Sequence, residues 1–214
     1  MNEELIISNY CRIKNKTVFL GEDVIYQEKP DTVFTNFIKR AYKHHNINYP
    51  KFYKMDNLSK LGFLTAELLL KNDKIIQSFK GEDIGIVILN SASSLDTDIA
   101  YNETIKDRTD YFPSPSLFVY TLPNIMIGEI CIRHKITGEN AFFIFEKFDP
   151  DFIYNYVSNL FSLNKIKCCI TGWVDLLGDD YSSILYLVKK RKDCQNKNEN
   201  IKFEAENIEL VFSH

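Results

Sequence analysis

Five cysteines are the residues of this sequence best suited to covalent chemistry, because a thiolate is a strong nucleophile and a metal ligand. They are Cys11, Cys131, Cys168, Cys169 and Cys194. Their number is odd and no two are spaced as C-x-x-C, so the sequence predicts neither a disulfide framework nor a zinc site. Cys168 and Cys169 lie in a predicted strand, and Cys131 lies in an Ile-rich predicted helix. We expect these three to be small core residues, with a redox or nucleophilic role as the alternative.

The histidines offer acid–base or metal chemistry, and three of the four can be assessed from their neighbours. His44 and His45 follow a helical pattern and could bind a metal, but no Asp, Glu or Cys accompanies them at ligand spacing. His134 stands between Arg133 and Lys135, whose positive charges disfavour its protonation. We therefore predict that none of these histidines is catalytic and that the chain holds no metal.

A serine cluster could bind a substrate oxygen. Ser91, Ser93 and Ser94 directly follow the apolar run Ile84–Leu89. Serines behind a strand more often form a turn, because their hydroxyls bond to nearby backbone groups. Ser-His-Asp catalysis also has no G-x-S-x-G elbow here to carry its nucleophile. We therefore expect these serines to form a turn and not a Ser-His-Asp site, and we predict no cofactor.

Composition argues against several classes of function. The chain has 214 residues, with 26 Lys+Arg against 29 Asp+Glu and a net charge of −3, which argues against a nucleic-acid partner. The longest uncharged stretch, Tyr111–Gly128, has 18 residues but contains Pro113, Pro115 and Pro123, so we expect buried core and no membrane span. The acidic N-terminus is unlike a secretory signal, and the odd cysteine number fits a reducing compartment. Together they predict a cytoplasmic protein.

Short apolar runs alternate with stretches of helical spacing, which is typical of a layered α/β domain. The predicted strands are Leu5–Ile7 and Thr17–Leu20, which form a hairpin within residues 1–30, then Ile84–Leu89, Ala141–Phe145, Lys165–Val174, Ser183–Val188 and a last strand at Ile208–Phe212. Ile84–Leu89 is apolar throughout, as expected of a strand covered on both faces. The predicted fold is a single α/β domain, residues 1–214, with a mixed five-stranded sheet between helical layers.

Helices are predicted where apolar residues recur at helical spacing. They cover Asp31–Lys43, residues 55–72, a mostly helical stretch at 115–137 that starts near Pro123-Asn124, and the segment from Pro150 to about Leu163. Asp31, Asp56 and Asp149 stand where a side chain caps a first helical turn, and Pro150 suits the first helical position. The polar residues 193–200 predict a loop.

The order of these segments adds a family resemblance. Residues 113–145, together with 54–71 and 84–98, resemble the N-terminal half of a β-ketoacyl synthase, a member of the thiolase-like condensing enzymes. The likeness extends from about Lys54 to Val188 and is strongest over Leu122–Gly138. It is greatest to the short pseudo-ketosynthase proteins of gene clusters for aryl-polyene and related pigments. The resemblance implies half of a thiolase-like fold.

The resemblance also implies where a nucleophile would stand. In a working ketosynthase, a cysteine on a sharp strand-to-helix bend takes the acyl chain as a thioester, and counting from Gly138 places this position near Lys147. Neither Lys147 nor its neighbours Glu146 and Phe148 offer a thiol or hydroxyl, and a protonated lysine is not nucleophilic. The two catalytic histidines of the family belong to the second half of the fold, and this chain ends about where that half would begin.

Three functions remain open from the sequence. The first is a catalytically inactive subunit that pairs with a full ketosynthase, like a chain length factor, in fatty-acid, polyketide or aryl-polyene-type biosynthesis. The second is an acyltransferase or thioesterase that uses Glu146, Lys147 or a serine in place of the cysteine. The third is a homodimeric scaffold that binds acyl chains or carrier proteins. The missing nucleophile favours the first.

Two surfaces are predicted to meet partners. In the family, the strand corresponding to Ala141–Phe145 pairs across the dimer axis, although burial within one chain explains its apolar character equally well. We predict a homodimer, or a heterodimer with a ketosynthase, through two segments. Their residues are Ala141, Phe142, Phe143, Ile144 and Phe145, with Leu117, Thr121, Asn124 and Met126. A basic cluster could steer an acidic acyl carrier protein, or it is a solvated strand end. This cluster comprises Lys189, Lys190, Arg191 and Lys192.

Overall fold

An eight-stranded mixed sheet organises the chain in a computed structural model that describes residues 4–71, 78–109, 111–194 and 201–213. The strands are β1 (Leu5–Lys14), β2 (Thr17–Leu20), β3 (Asp23–Gln27), β4 (Ile84–Asn90), β5 (Asn140–Ile144), β6 (Cys168–Leu177), β7 (Asp180–Lys190) and β8 (Ile201–Lys202). The α-helices of the described residues are α1 (Phe34–His44), α2 (Asn57–Leu70), α3 (Leu95–Glu103), α4 (Pro115–Val119), α5 (Ile125–His134), α6 (Pro150–Ser162) and α7 (Ala205–Ser213). The predicted mixed α/β class is confirmed.

The sheet has more strands than the five predicted, and its order is β3-β2-β1-β7-β6-β4-β5, with β8 paired to β1. β4 runs parallel to both β5 and β6, whereas β6–β7, β7–β1, β1–β2 and β2–β3 are antiparallel. The prediction of five was wrong because the N-terminal hairpin extends the central sheet: β1 pairs with β7 along most of its length. β3 and β8 were not predicted, since their short sequences show little alternation of apolar and polar residues.

Both faces of the sheet are covered by helices. All seven residues of β4 are buried, as predicted for Ile84–Leu89. Ile86 and Ile88 pack into one apolar cluster with α1, α2 and α5, whereas Val87 and Leu89 pack into the other with α6 and α7. β4 is therefore an inner strand, and β5 lies at the edge of the sheet next to it.

Two of the three predicted helix caps are confirmed. The Asp56 side chain accepts from the backbone N–H of Ser59 at the start of α2, and Asp149 accepts from that of Phe152 at the start of α6. Asp31 does not cap α1, which begins at Phe34 with Val33 in the cap position and no side-chain cap of its own. The Phe34 N–H donates instead to Asp179 at 2.7 Å, so a residue of the β6–β7 turn replaces the local cap.

Two other predicted elements differ in the structure. The predicted strand Ile208–Phe212 is wrong, because this segment lies within helix α7 with Ile208 and Val211 buried one turn apart. The stretch 115–137 forms two helices, α4 and α5, separated by a turn at residues 120–124. Of the predicted loop 193–200, residues 195–200 lie outside the described residues.

A largely buried ion-pair cluster joins α2 to α5. The guanidinium of Arg133 donates to both carboxylate oxygens of Glu67, at 2.7 and 3.2 Å, and Nε2 of His134 lies 2.9 Å from Oε1. Burial disfavours the charged carboxylate, but the hydrogen bonds from His134 and Arg133 outweigh this and lower the pKa of Glu67 below its usual range.

Replacing this carboxylate should lower stability in a pH-dependent way. We expect Glu67→Gln to reduce the free energy of unfolding at neutral pH by about 1–3 kcal/mol, because the hydrogen bonds to a charged group are weakened. The lowered pKa means that this contribution is present above about pH 4.5 and is lost as the pH falls through the folded value. Urea unfolding across this range should therefore show the difference between wild type and variant shrinking in acid. A difference that stays constant with pH would contradict the assignment.

Candidate functional site

The connection from β5 to α6 is the position that corresponds to the predicted nucleophile bend. Phe145 still follows the strand, since its N–H donates to the carbonyl oxygen of Asn90 at 2.9 Å. Asp149 then caps α6 through the N–H of Phe152, at 2.8 Å, and Pro150 takes the first helical position. Three residues thus turn the chain from strand to helix. We call residues 146–148 the bend.

The two charged side chains of the bend face solvent, and its aromatic side chain is buried. Glu146 and Lys147 are exposed to solvent. Phe148 is buried; its ring stacks on Phe212 of α7 with the centroids 3.9 Å apart, and it meets Trp173 edge-on at 6.0 Å. The interior of the bend is therefore filled by aromatic rings, and neither a thiol nor a hydroxyl is present in it.

The buried cysteines of the chain do not supply the nucleophile that is missing from the bend. Cys11, Cys168 and Cys169 are fully buried in the sheet, where Cys168 and Cys169 face opposite apolar clusters, as the strand prediction requires. Burial raises the pKa of the thiols of Cys11, Cys131 and Cys169. A raised pKa disfavours the reactive thiolate, so these cysteines are packing residues.

The three histidines among the described residues also lie away from the bend. His44 ends α1 and His45 follows it, and burial, with smaller effects from His44 and Lys71, lowers the pKa of His45 to about 4. His134 is held by Glu67 between α2 and α5. In the part of the chain that the structure describes, no group of three His, Cys, Asp or Glu side chains could hold a metal ion.

The predicted serine cluster forms a turn behind β4. The Asn90 side chain exchanges two hydrogen bonds with the backbone of Ser93, and Ser94 Oγ donates to the Thr121 carbonyl at 2.7 Å. The backbone N–H groups of Ser91 and Ala92 both donate to Asp175, which projects from β6. Sequence reasoning missed Asp175, because it lies 84 positions from Ser91. These residues shape the loop between β4 and α3.

The edge of β5 is open within the described residues. Ile86 N–H donates to Glu139 and Phe145 N–H donates to Asn90, both at 2.9 Å, so alternate residues of this segment bond to β4. The intervening residues Phe142 and Ile144 consequently direct their backbone N–H and C=O groups away from the sheet. Ile144 is also 57% exposed. This strand therefore offers unsatisfied backbone groups beside an apolar side chain.

The second predicted interface segment needs one correction. Asn124 is exposed, and Leu117 and Thr121 are half-buried. Met126 is only 1% exposed, and its thioether fills the space beside Gly62 of α2, so tightly that a Cβ on that glycine would collide with it. Met126 is therefore a core residue of the α2–α5 contact and has no surface to offer a partner.

The predicted basic docking cluster also needs a correction. Lys189 is 9% exposed within β7, so it is removed from the predicted docking residues. Arg191 pairs with Glu4. Lys190 lines a cleft of about 580 Å³ between α6 and the start of β1, in which Lys202 and Glu4 also lie. The cluster is thus partly buried and partly neutralised by Glu4.

Matched substitutions should separate the two kinds of side chain in the bend. We expect Phe148→Ala to lower the free energy of unfolding by about 3–5 kcal/mol, because it leaves a cavity against Phe212 and Trp173. Lys147→Ala should change it by less than about 0.5 kcal/mol, because the side chain is exposed. Chemical denaturation followed by Trp173 fluorescence measures both. Equal losses for the two variants would show that Phe148 does not fill the bend.

No helix of the described residues is long and apolar enough to span a membrane.

No family model matches the chain, and a search of curated proteins finds no significant match. Solved structures do match. The ishigamide ketosynthase/chain length factor superposes with a TM-score of 0.64 at 12% identity, over 90% of this chain and 64% of that one. A type II PKS acyl-carrier protein in complex with its ketosynthase bound to the hexaketide gives a TM-score of 0.64 at 11% identity, over 89% and 63%.

A ketosynthase in complex with its chain length factor from Xenorhabdus doucetiae also matches, with a TM-score of 0.56 at 11% identity over 87% of this chain and 79% of that one. The chain spans only 63–64% of the length of the first two proteins. At such low identity the likeness is one of fold. The chain has the thiolase-like α/β fold of ketosynthases and chain length factors.

Proposed function

We propose that the chain is a non-catalytic subunit of ketosynthase fold that pairs with a full-length ketosynthase in fatty-acid or polyketide biosynthesis, in the manner of a chain length factor. The observation that carries the proposal is the bend between β5 and α6, where exposed Glu146 and Lys147 and buried Phe148 supply neither a thiol nor a hydroxyl. We place it in the cytoplasm, the compartment predicted from its odd number of cysteines, and in pathways of the aryl-polyene type.

The chemistry of acyl transfer supports an inactive bend. Condensation through a covalent intermediate requires an activated nucleophile with a base within hydrogen-bond reach. The bend supplies neither, and the described histidines lie at the end of α1 and between α2 and α5. The alternative acyltransferase or thioesterase site at Glu146 or Lys147 draws no support from this geometry, because a solvent-exposed side chain lacks the desolvated surroundings that would activate it.

The open edge of β5 supports pairing. Natural proteins protect edge strands with charged residues, proline or a covering element, because an unprotected edge recruits another strand. The sequence Asn140-Ala-Phe-Phe-Ile144 contains no charged residue and no proline. The solved neighbours include a ketosynthase in complex with its chain length factor, and we propose a corresponding complex for this chain, with β5 at its centre.

A carrier protein is a further proposed partner, with a smaller surface than the sequence predicted. Of the basic cluster, Lys192 is exposed and Lys190 and Arg191 are half-buried. We propose that these three, without Lys189, attract an acidic acyl carrier protein through long-range charge complementarity. Such attraction would weaken steeply with added salt.

Introducing a thiol should not create activity. We expect neither wild type nor Lys147→Cys to condense acyl-carrier and malonyl-carrier thioesters when tested without a partner. Each missing electrostatic donor for the developing oxyanion typically costs about a hundred- to a thousand-fold in rate. Mass spectrometry of acyl adducts and of condensed product provides the measurement. Condensation or a covalent acyl adduct on the wild-type chain alone would overturn the proposal of an inactive subunit.

Blocking the edge of β5 should abolish pairing without unfolding the chain. Ile144→Pro removes an N–H that faces away from β4, so the bonds between β4 and β5 are retained. We expect loss of co-purification with a co-expressed ketosynthase, with little change in thermal stability, whereas Ile144→Val should pair like wild type. Intact pairing by a folded Ile144→Pro variant would exclude strand pairing through β5.

A further inference from the structure

The cleft between the C-terminal half of α6 and the ends of β1, β7 and β8 is remote from the bend. Its volume of about 580 Å³ is that of a small-molecule site. One row of paired residues crosses the sheet at the start of β4 and reaches the cleft: Ile84, Cys168, Lys189, Ile6 and Lys202. The bend follows the other ends of β4 and β5. The cleft and the bend therefore lie at opposite ends of the sheet.

One face of α6 forms a wall of this cleft. Tyr154, Ser158 and Ser162 all line it, and their spacing of four residues places them on the same side of the helix. The ring of Tyr154 packs near that of Phe203, with the centroids 5.9 Å apart, and Phe203 is 2% exposed. The wall is therefore part of the packed secondary structure.

The hydroxyl of Ser158 is an unsatisfied group in this wall. Its oxygen is buried and has no hydrogen-bond partner among the described residues. One turn later, Ser162 Oγ donates to the carbonyl oxygen of Asn159 at 2.8 Å, which is the usual way for a helical serine to be satisfied. Buried hydroxyls are nearly always paired. A molecule bound in the cleft can therefore gain a hydrogen bond from Ser158 that replaces none within the protein.

Charges of both signs line the cleft in equal number. They are Lys190 and Lys202 with Glu4 and Glu204. The ammonium of Lys202 lies 3.9 Å from the Glu4 carboxylate and 3.7 Å from that of Glu204, so it is attracted by both but is beyond hydrogen-bond length from either. Within the described part of the chain, Lys202 thus keeps donors, and Glu204 keeps acceptors, for a ligand.

This lining favours a ligand that itself carries both charges. A purely anionic ligand that bound to Lys202 would be repelled by the two carboxylates beside it. A purely cationic ligand would be repelled by the two lysines. A zwitterion avoids both costs, because its carboxylate accepts from Lys202 while its ammonium donates to Glu204.

We propose that this cleft binds a free α-amino acid. Lys202 holds the carboxylate, Glu204 holds the ammonium, and the hydroxyl of Ser158 donates to the carboxylate. The apolar part of the lining, which includes Leu5 and Tyr154, receives the side chain of the ligand, so large apolar amino acids bind most tightly. The proposal does not depend on the proposed function, because four strands separate β8 from the open edge of β5.

Isothermal titration calorimetry of the purified chain with each proteinogenic L-amino acid tests the proposal. We expect at least one large apolar amino acid to bind. Its N-acetyl derivative lacks the positive charge and its amide lacks the negative charge. Each derivative should bind at least about tenfold more weakly than the free amino acid, because each leaves one charged partner in the cleft without its counterpart.

Substitutions locate the binding in the cleft. Lys202→Gln and Ser158→Ala are the test variants, and Lys106→Gln is the matched control, because the side chains of Lys106 and Lys202 are both 56% exposed and both lie in surface ion pairs. We expect Lys202→Gln to weaken binding at least about tenfold and Ser158→Ala about three- to tenfold, with no change for Lys106→Gln. Ligand-free Ser158→Ala should unfold at the same temperature as wild type, because it loses no hydrogen bond within the chain.

Each other outcome overturns the proposal. If wild type binds none of the amino acids, the cleft is not an amino-acid site. Binding that Lys202→Gln and Ser158→Ala leave unchanged occurs elsewhere on the chain. Equal affinity for an amino acid and its N-acetyl derivative would show that the carboxylate alone is recognised. A lower unfolding temperature of ligand-free Ser158→Ala would show that the hydroxyl already has a partner within the protein.

Discussion

Burial of β4 on both faces and along both edges is the constraint on which the rest of the molecule depends. Its residues hydrogen-bond to β5 on one side and β6 on the other while packing against helices above and below. An apolar strand of this kind is stable only inside a sheet, so β5 must lie beside it. That position leaves the outer edge of β5 open and sets the bend that follows it, where Phe148 packs inward against Phe212 and Trp173.

The features that were predictable from the sequence are local. β4 is recognisable because its seven consecutive residues carry no charge. The starts of α2 and α6 are recognisable because Asp56 and Asp149 cap the helical turns that immediately follow them. The absence of a thiol from the bend was likewise predictable from the sequence of residues 145–149. In each case the interacting groups are neighbours in sequence, so composition and spacing contain the information.

The features that were missed depend on distant partners. Asp179 caps α1 from 145 positions away, which displaces the local candidate Asp31. Met126 is buried because α2 presents Gly62 opposite it, and a five-residue run such as Ile208–Phe212 is too short for its period to distinguish helix from strand. The cleft beside α6 was missed for the same reason, because its lining residues belong to segments that are distant in sequence.

Amide hydrogen exchange along β5 tests the central claim, that the open edge of this strand is completed by a ketosynthase partner. The amides of Ala141, Phe143 and Phe145 face β4 and should be protected both in the chain alone and in the complex. The amides of Phe142 and Ile144 face outward; they should exchange rapidly in the chain alone and become protected when the partner binds. Protection of Phe142 and Ile144 that does not change on forming the complex would contradict the account.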